Sequence, residues 1–408
     1  MTKPIVIVGA GPAGAAASLL LAQQGLNVVL IEKETAFERV FRGEGLMPAG
    51  LRALYDMGLK ETFEQIPARP LTSWDFYVGQ RRRMRVMEPD SLATQIIDQG
   101  ALLRAMVQKA KQLPNFEFYA GWQVTDLLYD DLGRVTGVKA TESGLNSGHS
   151  KEITAECVVA CDGRYSRLRK LAGLTLEKSA AQFDVLWFKL PAPDALATET
   201  PFIACLQPDR QFAFYPSWDG RLQIGWIVEK SAHKQVGLSQ LKENNWIEDF
   251  AQALPPELAE HFRQHKDELE GPIYLDVQVG CCGQWSKPGL LLIGDAAHPM
   301  APNRAQGINM ALRDAIVVAN HFATLENEPM TDQVLQAIQA ERQPEIEAVQ
   351  TMQLAEWKKV EFISTPGLPH FGFKAIASLF GRFTFAQNIW LHEQKGLRDG
   401  VLPVKLTV

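Results

Sequence analysis

The residues of this chain whose types and spacing could do chemistry are glycines and acids grouped in three separated places. The first group is Gly9-Ala10-Gly11-Pro12-Ala13-Gly14, followed at the end of the next apolar run by Glu32. The second is Asp162-Gly163, directly after Val158-Val159-Ala160-Cys161. The third is Gly294-Asp295, after Gly289-Leu-Leu-Leu-Ile293, running on through His298, Pro302, Arg304, Gly307 and Asn309. Gly9 allows a tight turn, Gly11 lets backbone approach a pyrophosphate, and Gly14 lets a helix pack closely on a strand. Open amides at the helix start supply an anion site, and Glu32 stands where a carboxylate can accept from a ribose hydroxyl. This chemistry is that of an ADP-containing dinucleotide; the alternative is a glycine-rich turn in an unrelated α/β domain. The first group does not choose between NAD and FAD.

The elements that must position these groups can be read around them. Pro4–Val8 is a continuous apolar run, as a strand buried on both faces requires. Ala15–Gln24 reads as a helix and Asn27–Ile31 as a second strand. Ligands of open α/β sheets lie at the carboxyl ends of strands, and Asp162 and Asp295 occupy such ends. Two further strand-end acids exceed what NAD requires and suit a longer ligand, with Asp295 near its middle and its ring end at the helix start near Gly307. Arg42, followed by glycines at 43 and 45 and by a helix through Leu51, Leu54 and Met57, suits a cation meeting a phosphate or flavin edge, against a surface salt bridge.

Trp74–Val78, Gly79-Gln80 and Arg81–Met87 read as a hairpin. Its four arginines are either a solvated tip, the simpler reading, or a grip for the 2′-phosphate of NADPH. Ile96-Ile97-Asp98-Gln99 precedes another helix, and strands follow at Phe116–Tyr119, Gln123–Leu128 and Thr136–Glu142, with a turn at Asn146–Ser150. From about Leu174 to Gln284 the texture changes to aromatic-rich strands, at Phe183–Lys189, Phe202–Cys205, Gln211–Tyr215 and Leu222–Ile227. These predict an antiparallel sheet, interrupted by helices over Leu238–Ala253 and Pro256–His265. Its aromatics, among them Phe183, Trp187, Phe214 and Trp226, either line a substrate pocket or form sheet core.

Length and composition narrow the class. A chain of 408 residues is long enough for two or three domains. A net charge of −6 argues against nucleic acid as a general partner. Cys157, Cys161, Cys205, Cys281 and Cys282 form no CxxC pair, so packing is their expected role, and a reducing cytoplasm is the expected compartment. No metal site is expected. The N-terminus carries no secretory signal pattern, and no apolar run is long enough for a transmembrane helix.

Taken together, GAGPAG at 9–14, Asp162-Gly163 with Ser166 and Arg169, and Gly294-Asp295-Ala-Ala-His with Pro302, Gly307 and Asn309 resemble the FAD-dependent group A aromatic hydroxylases of the para-hydroxybenzoate hydroxylase type. The resemblance runs from residue 1 to about 345. It implies a Rossmann-like FAD-binding domain of the GR2 type, with an inserted antiparallel β-sheet substrate domain and a C-terminal helical segment. The implied boundaries are 1–72, 92–174 and 285–345 for the FAD domain, 73–91 and 175–284 for the insert, and 346–408 for the tail. It further implies reduction by NADH or NADPH without a second Rossmann domain, then reaction with O₂ to a flavin C4a-hydroperoxide that hydroxylates an aromatic or lipophilic ring substrate.

Carried over residue by residue, Gly9, Gly11 and Gly14 face the pyrophosphate and Glu32 the adenosine ribose. Arg42 and Gln99 touch the middle of FAD, and Asp162 links cofactor and nicotinamide binding. Asp295 holds ribityl or pyrophosphate oxygens, Pro302 borders the reacting face, and the amides of Gly307, Ile308 and Asn309 stabilise negative charge at flavin N1–C2=O. Pro12, Ala13, Lys33, Val124 and Gly294 complete the expected cofactor-binding set, and Pro302, Arg304, Gly307 and Asn309 the expected reacting end. One departure stands out: Ala305 occupies a position where the family usually carries glycine. Arg304 beside it either contacts flavin, a substrate carboxylate or NAD(P)H, or points to solvent. His298 reads as a structural hydrogen-bonding residue rather than a general base.

Residues 331–360 predict one long amphipathic helix containing Pro344, followed by an apolar helix through Ile376, Leu379, Phe380, Phe383 and Phe385. This tail packs against the FAD domain, covers the pocket entrance, makes peripheral membrane contact through 361–391, or forms a dimer face, so the expected state is monomer or homodimer. Two other chemistries stay open: a reductase or epoxidase of the same superfamily acting on an isoprenoid or polyene, and a flavin-binding protein without catalysis. The WxWxIP signature of flavin halogenases is absent, the comparable stretch being Ser217–Trp226.

Overall fold

A computed structural model describes all residues except 1–2, 38–43, 90–91, 144–147, 180–182, 197, 209, 231–245, 253, 326–329 and 382. Arg42, the expected turn at Asn146, and most of the expected helix from Leu238 therefore lie outside the described residues.

The first sheet has six strands in the order Ser286–Lys287, Leu290–Leu292, Cys157–Ala160, Ile5–Val8, Val28–Glu32 and Phe116–Ala120. All neighbours pair in parallel except the edge strand Ser286–Lys287. Ile5–Val8, Val28–Glu32, Cys157–Ala160 and Leu290–Leu292 are buried at every residue, which is why they read as unbroken apolar runs. Pro12 opens the helix Pro12–Gln23, where its missing N–H costs nothing. The helix Gln306–Ala323 packs across it. A smaller antiparallel sheet of Trp122–Tyr129, Val135–Glu142 and Ser150–Thr154 lies beside the first.

The insert sheet has seven strands, in the order Glu270–Leu275, Phe183–Pro191, Arg221–Glu229, Arg210–Pro216, Pro201–Gln207, Ser73–Val78 and Arg81–Met87. The expected hairpin over 74–87 is its far edge. The expectation of an antiparallel sheet needs one correction, because Pro201–Gln207 runs parallel to Ser73–Val78. Those two strands come from separate stretches of the chain, so no tight turn forces them to alternate in direction. One face of the sheet packs a core of Phe188, Phe212, Phe214, Phe250 and Phe262 under the helices Trp246–Gln252 and Pro256–Gln264. The other face lines a cavity.

The tail helix is continuous from Asp332 to Ser364 despite Pro344. Arg342 and Glu345 beside the proline are fully buried and paired with each other. Where one apolar helix was expected after it, there are two, Leu368–Phe380 and Thr384–Asp399. At the end of the first of these, Gly381 lies against the hairpin, and an added Cβ there would stand 2.3 Å from the carbonyl oxygen of Arg83.

Candidate active site

Because Ile5–Val8, Cys157–Ala160 and Leu290–Leu292 are parallel neighbours, their carboxyl ends open on the same edge of the sheet. The three glycine-and-acid groups thus converge. Gly9 holds φ +101°, and a Cβ there would lie 2.4 Å from the Cys161 carbonyl oxygen, so the first and second turns touch. A Cβ on Gly14 would lie 1.9 Å from the Gly9 carbonyl oxygen, which is the close helix packing expected of that glycine. Gly294, at φ +59°, sits under Ala13. Both Gly14 and Gly294 therefore act beneath the surface rather than on the cavity. Arg169 ties the second group to the third, donating to the carbonyls of Ala296 at 2.7 Å and Arg164 at 2.9 Å.

The acids are held in different ways. Glu32 accepts from the amide of Ala10 at 2.6 Å, so it braces the glycine turn from the neighbouring strand. Asp162 accepts from the Ser166 hydroxyl at 2.5 Å and from the amides of Arg167 and Leu168 at 2.7 and 3.0 Å. Its carboxylate thus caps the short helix Arg167–Leu171. Asp295 lines the cavity, 3.8 Å from the Arg164 guanidinium.

Beneath the third group lies a charged network that sequence reasoning did not identify. Asp314 is fully buried and accepts from the Gly294 amide at 2.9 Å, from His298 Nε2 at 2.7 Å and from Arg342 at 2.8 Å. Burial pushes its carboxyl up, but the charges and hydrogen bonds of His298 and Arg342 outweigh this and hold it down at about 2. His298, 1 % exposed, is thus the structural residue expected.

At the ring end the expected loop has an unusual backbone. Arg304 and Ala305 hold φ +59° and +49°, consecutive left-handed residues that are not glycine. The Arg304 side chain neither reaches solvent nor stands free in the cavity. It donates to Glu356 at 2.5 and 2.8 Å and lies 4.3 Å from the Trp74 ring centroid and 4.7 Å from that of Trp390. Gln353 donates to the carbonyls of Ala301 and Asn303, so the long tail helix holds this loop from both sides. Asn309 requires a correction: it is fully buried and off the cavity. Its amide group donates to Ala305 O at 2.6 Å and accepts from the Met47 amide at 2.9 Å, locking the loop to the segment after Gly45.

The substrate-side expectation is half corrected. Side chains alternate across a strand, and in Phe183–Pro191 the residues Phe183, Val185 and Trp187 face the cavity while Leu186 and Phe188 face the opposite core. Phe214 and Trp226 have the other parity. Phe214 is buried against Phe250 and Phe262, and Trp226 packs against Phe212, so neither lines the pocket. Their cavity-side neighbours are Tyr215 and Gly225, and the ring of Trp187 lies across Gly225. Sequence reasoning missed Trp74, Tyr215, Trp357 and Trp390 as wall residues, and Glu44 at the edge. Burial raises the Glu44 carboxyl against the pull of Lys189 at 3.0 Å.

Together these parts enclose one cavity of about 1520 Å³. It runs from Glu32, Lys33 and Val124 past Gly11, Pro12 and Ala13, then Gln99, Asp162 and Asp295, to Pro302, Arg304, Gly307 and Ile308 under the aromatic sheet face. A volume above the roughly 300–1,000 Å³ of a single drug-sized ligand leaves room for a dinucleotide and a second molecule. Two helix starts open on it, at Gly11–Pro12 and at Ala305–Gln306, and neither is capped by a side chain. Their unsatisfied amides suit a pyrophosphate at one end and an anionic ring edge at the other. The residues present therefore fit FAD.

The comparisons agree. Residues 2–353 match the family described as FAD binding domain. The chain is 30% identical over 364 residues to 6-methylpretetramide 4-monooxygenase of Streptomyces rimosus, covering 86% of this chain and 83% of that protein. It is 23% identical over 337 residues to squalene epoxidase 1 of Arabidopsis thaliana, covering 79% of this chain and 60% of that one. The crystal structure of p-nitrophenol 4-monooxygenase from Pseudomonas putida DLL-E4 superposes with a TM-score of 0.79 at 19% identity, over 98% of this chain and 99% of that one. The chain belongs to the FAD-dependent monooxygenases built on this FAD binding domain.

Proposed function

We propose that this flavoprotein hydroxylates an aromatic or lipophilic ring compound, drawing electrons from NADH or NADPH and one oxygen atom from O₂. The observation that carries the reading is the continuity of a single cavity from the glycine turn at Gly11 to a wall of Phe183, Trp187, Trp74 and Tyr215. When bound, FAD supplies the reduction of O₂ and the electrophilic oxygen. The protein's part is to bind, orient and exclude water. In this reading the uncapped amides of Pro12–Gln23 hold the pyrophosphate, and Glu32 receives the adenosine ribose. Asp295 takes hydroxyl or phosphate oxygens mid-length, with Arg164 balancing its charge. The Gly307 and Ile308 amides face the ring edge, and Pro302 borders the reacting side. The aromatic wall of Phe183, Trp187, Trp74 and Tyr215 would give a ring substrate its apolar contacts.

The same features support treating 1–72, 92–174 and 285–345 as the FAD-binding part and 73–91 with 175–284 as the substrate part. The five unpaired cysteines support a cytoplasmic enzyme. Epoxidation of an isoprenoid chain is the second reading, favoured by the similarity to a squalene epoxidase and by the aliphatic residues Ile363 and Val360 on the tail side of the cavity. Purified yellow protein, NADPH and a panel of phenols and polyenes decide between them. O₂ uptake with gain of one oxygen atom on a ring carbon supports hydroxylation, and the same gain across a double bond supports the second reading. NADPH oxidation that adds two hydrogens without O₂ would defeat both.

A further inference from the structure

From Phe362 to His392 the sequence contains no Asp or Glu, although the whole chain carries −6. Lys374 and Arg382 give this stretch a positive charge, and Glu361 and Glu393 stand just outside it. The same stretch is apolar and open: Leu368 is 86 % exposed, Phe371 70 % and Leu379 66 %, with Ile376, Phe383 and Phe385 all above half. The helix Leu368–Phe380 and the first turns of Thr384–Asp399 thus turn large side chains outward, while Trp390 and Leu397 of the latter pack inward. Beside them lies the hairpin edge Arg81–Met87, against which Gly381 packs. Of its four arginines, Arg82 and Arg85 pair with Asp75 and Glu199, so four cations meet two acids there among the described residues, next to the apolar face.

We propose that this face is a docking surface for an anionic lipid bilayer, on which the protein lies with Phe371, Ile376 and Leu379 in the headgroup boundary. A run of exposed apolar side chains rimmed by cations matches such a surface in both polarity and charge. A second copy of the chain matches it less well, because a two-fold contact would set Lys374 and the arginines of one copy against those of the other. No helix among the described residues is long and apolar enough to cross a membrane, so the contact lies in the plane of the surface.

The position has a consequence for the cavity. Phe362 and Ile363, at the end of Asp332–Ser364, and Phe373, on Leu368–Phe380, line the cavity and border the exposed face. A lipophilic ring compound dissolved in the bilayer can pass from the lipid to the cavity along apolar surface. That delivery step rests on the hydroxylation reading above; the docking itself does not.

Co-sedimentation of the full chain with vesicles tests it without any turnover. Equimolar phosphatidylcholine and phosphatidylglycerol vesicles should bind the protein, and rising salt or pure phosphatidylcholine should weaken binding about tenfold or more. The double variant Phe371→Glu/Leu379→Glu should lose binding by at least about tenfold while purifying with full flavin content. Lys374→Glu should do so in part, and more at low salt. Absence of binding to the anionic vesicles overturns the proposal. So does light scattering that finds a dimer for the unaltered chain and a monomer for the double variant, since a second copy then covers the face.

Discussion

Arg304 reaches Glu356 from a loop in which both it and Ala305 hold left-handed backbone angles. Such a conformation costs an L-residue roughly 1–2 kcal/mol, so the loop is held by its partners rather than by local preference. Those partners are the carboxylate of Glu356, the rings of Trp74 and Trp390, and the Gln353 side chain. Arg304→Ala should therefore lower stability by about 2 kcal/mol through loss of the ion pair and ring contact. It should also raise the share of NADH or NADPH oxidised without oxygen transfer, because the proposed function puts this loop at the reacting end. Ala305→Gly should change stability by less than about 1 kcal/mol, in the stabilising direction, since relief at φ +49° is offset by unfolded-state freedom. Thermal unfolding and a hydrogen peroxide assay check both; a destabilised Ala305→Gly would show that the loop is not strained.

Asp295→Ala should give colourless protein. The carboxylate lines the cavity onto which both uncapped helix starts open, where the proposed function puts FAD hydroxyl or phosphate oxygens. Asp295→Asn, which keeps hydrogen bonding, should retain part of the flavin. Absorbance of the purified variants reads the outcome, and full flavin in Asp295→Ala would remove Asp295 from the site.

Asp314 predicts an acid limb in stability. Its carboxyl is held at about 2 in the folded chain, below the roughly 3.9 of an unfolded aspartate. A lowered folded value means that the contribution, about 3 kcal/mol, is complete above about pH 4 and is lost as pH falls towards 2. Asp314→Asn should cost about 3 kcal/mol at neutral pH by leaving Arg342 poorly matched. It should also flatten the stability profile across that acid window. Denaturant unfolding at several pH values measures both, and an unchanged slope in the variant would assign the limb to other acids.

The parity of the insert sheet separates two tryptophans and two phenylalanines that look alike in sequence. Trp187→Ala should raise KM for the ring substrate with little loss of stability, because its ring lies on the cavity side. Phe214→Ala should do the reverse, costing about 3–5 kcal/mol by opening a cavity in the packed face, with KM unchanged in the folded fraction. Steady-state kinetics beside thermal unfolding distinguish them.

The glycine-and-acid corners were legible because each is a local requirement. A tight turn, a close backbone approach and a strand-end carboxylate demand particular residue types within a few positions, whatever the rest of the chain does. The hairpin over 74–87 and the long tail helix were legible for the same reason, through turn residues and apolar spacing. Ala305 marks the loop as a departure at the level of sequence, and its left-handed backbone belongs to the fold. What the amino-acid order alone determined is therefore a set of local geometries and the cofactor they suit. Tertiary structure decided the rest. It set which strands became neighbours and so brought Gly9, Asp162 and Asp295 to one edge. It set which parity of each insert strand faces inward, since a shift of one residue exchanges Tyr215 for Phe214. And it set what Arg304 and Asp314 meet, because Glu356, Trp390 and Arg342 come from distant helices whose approach is fixed by packing over the whole fold and by no short-range pattern.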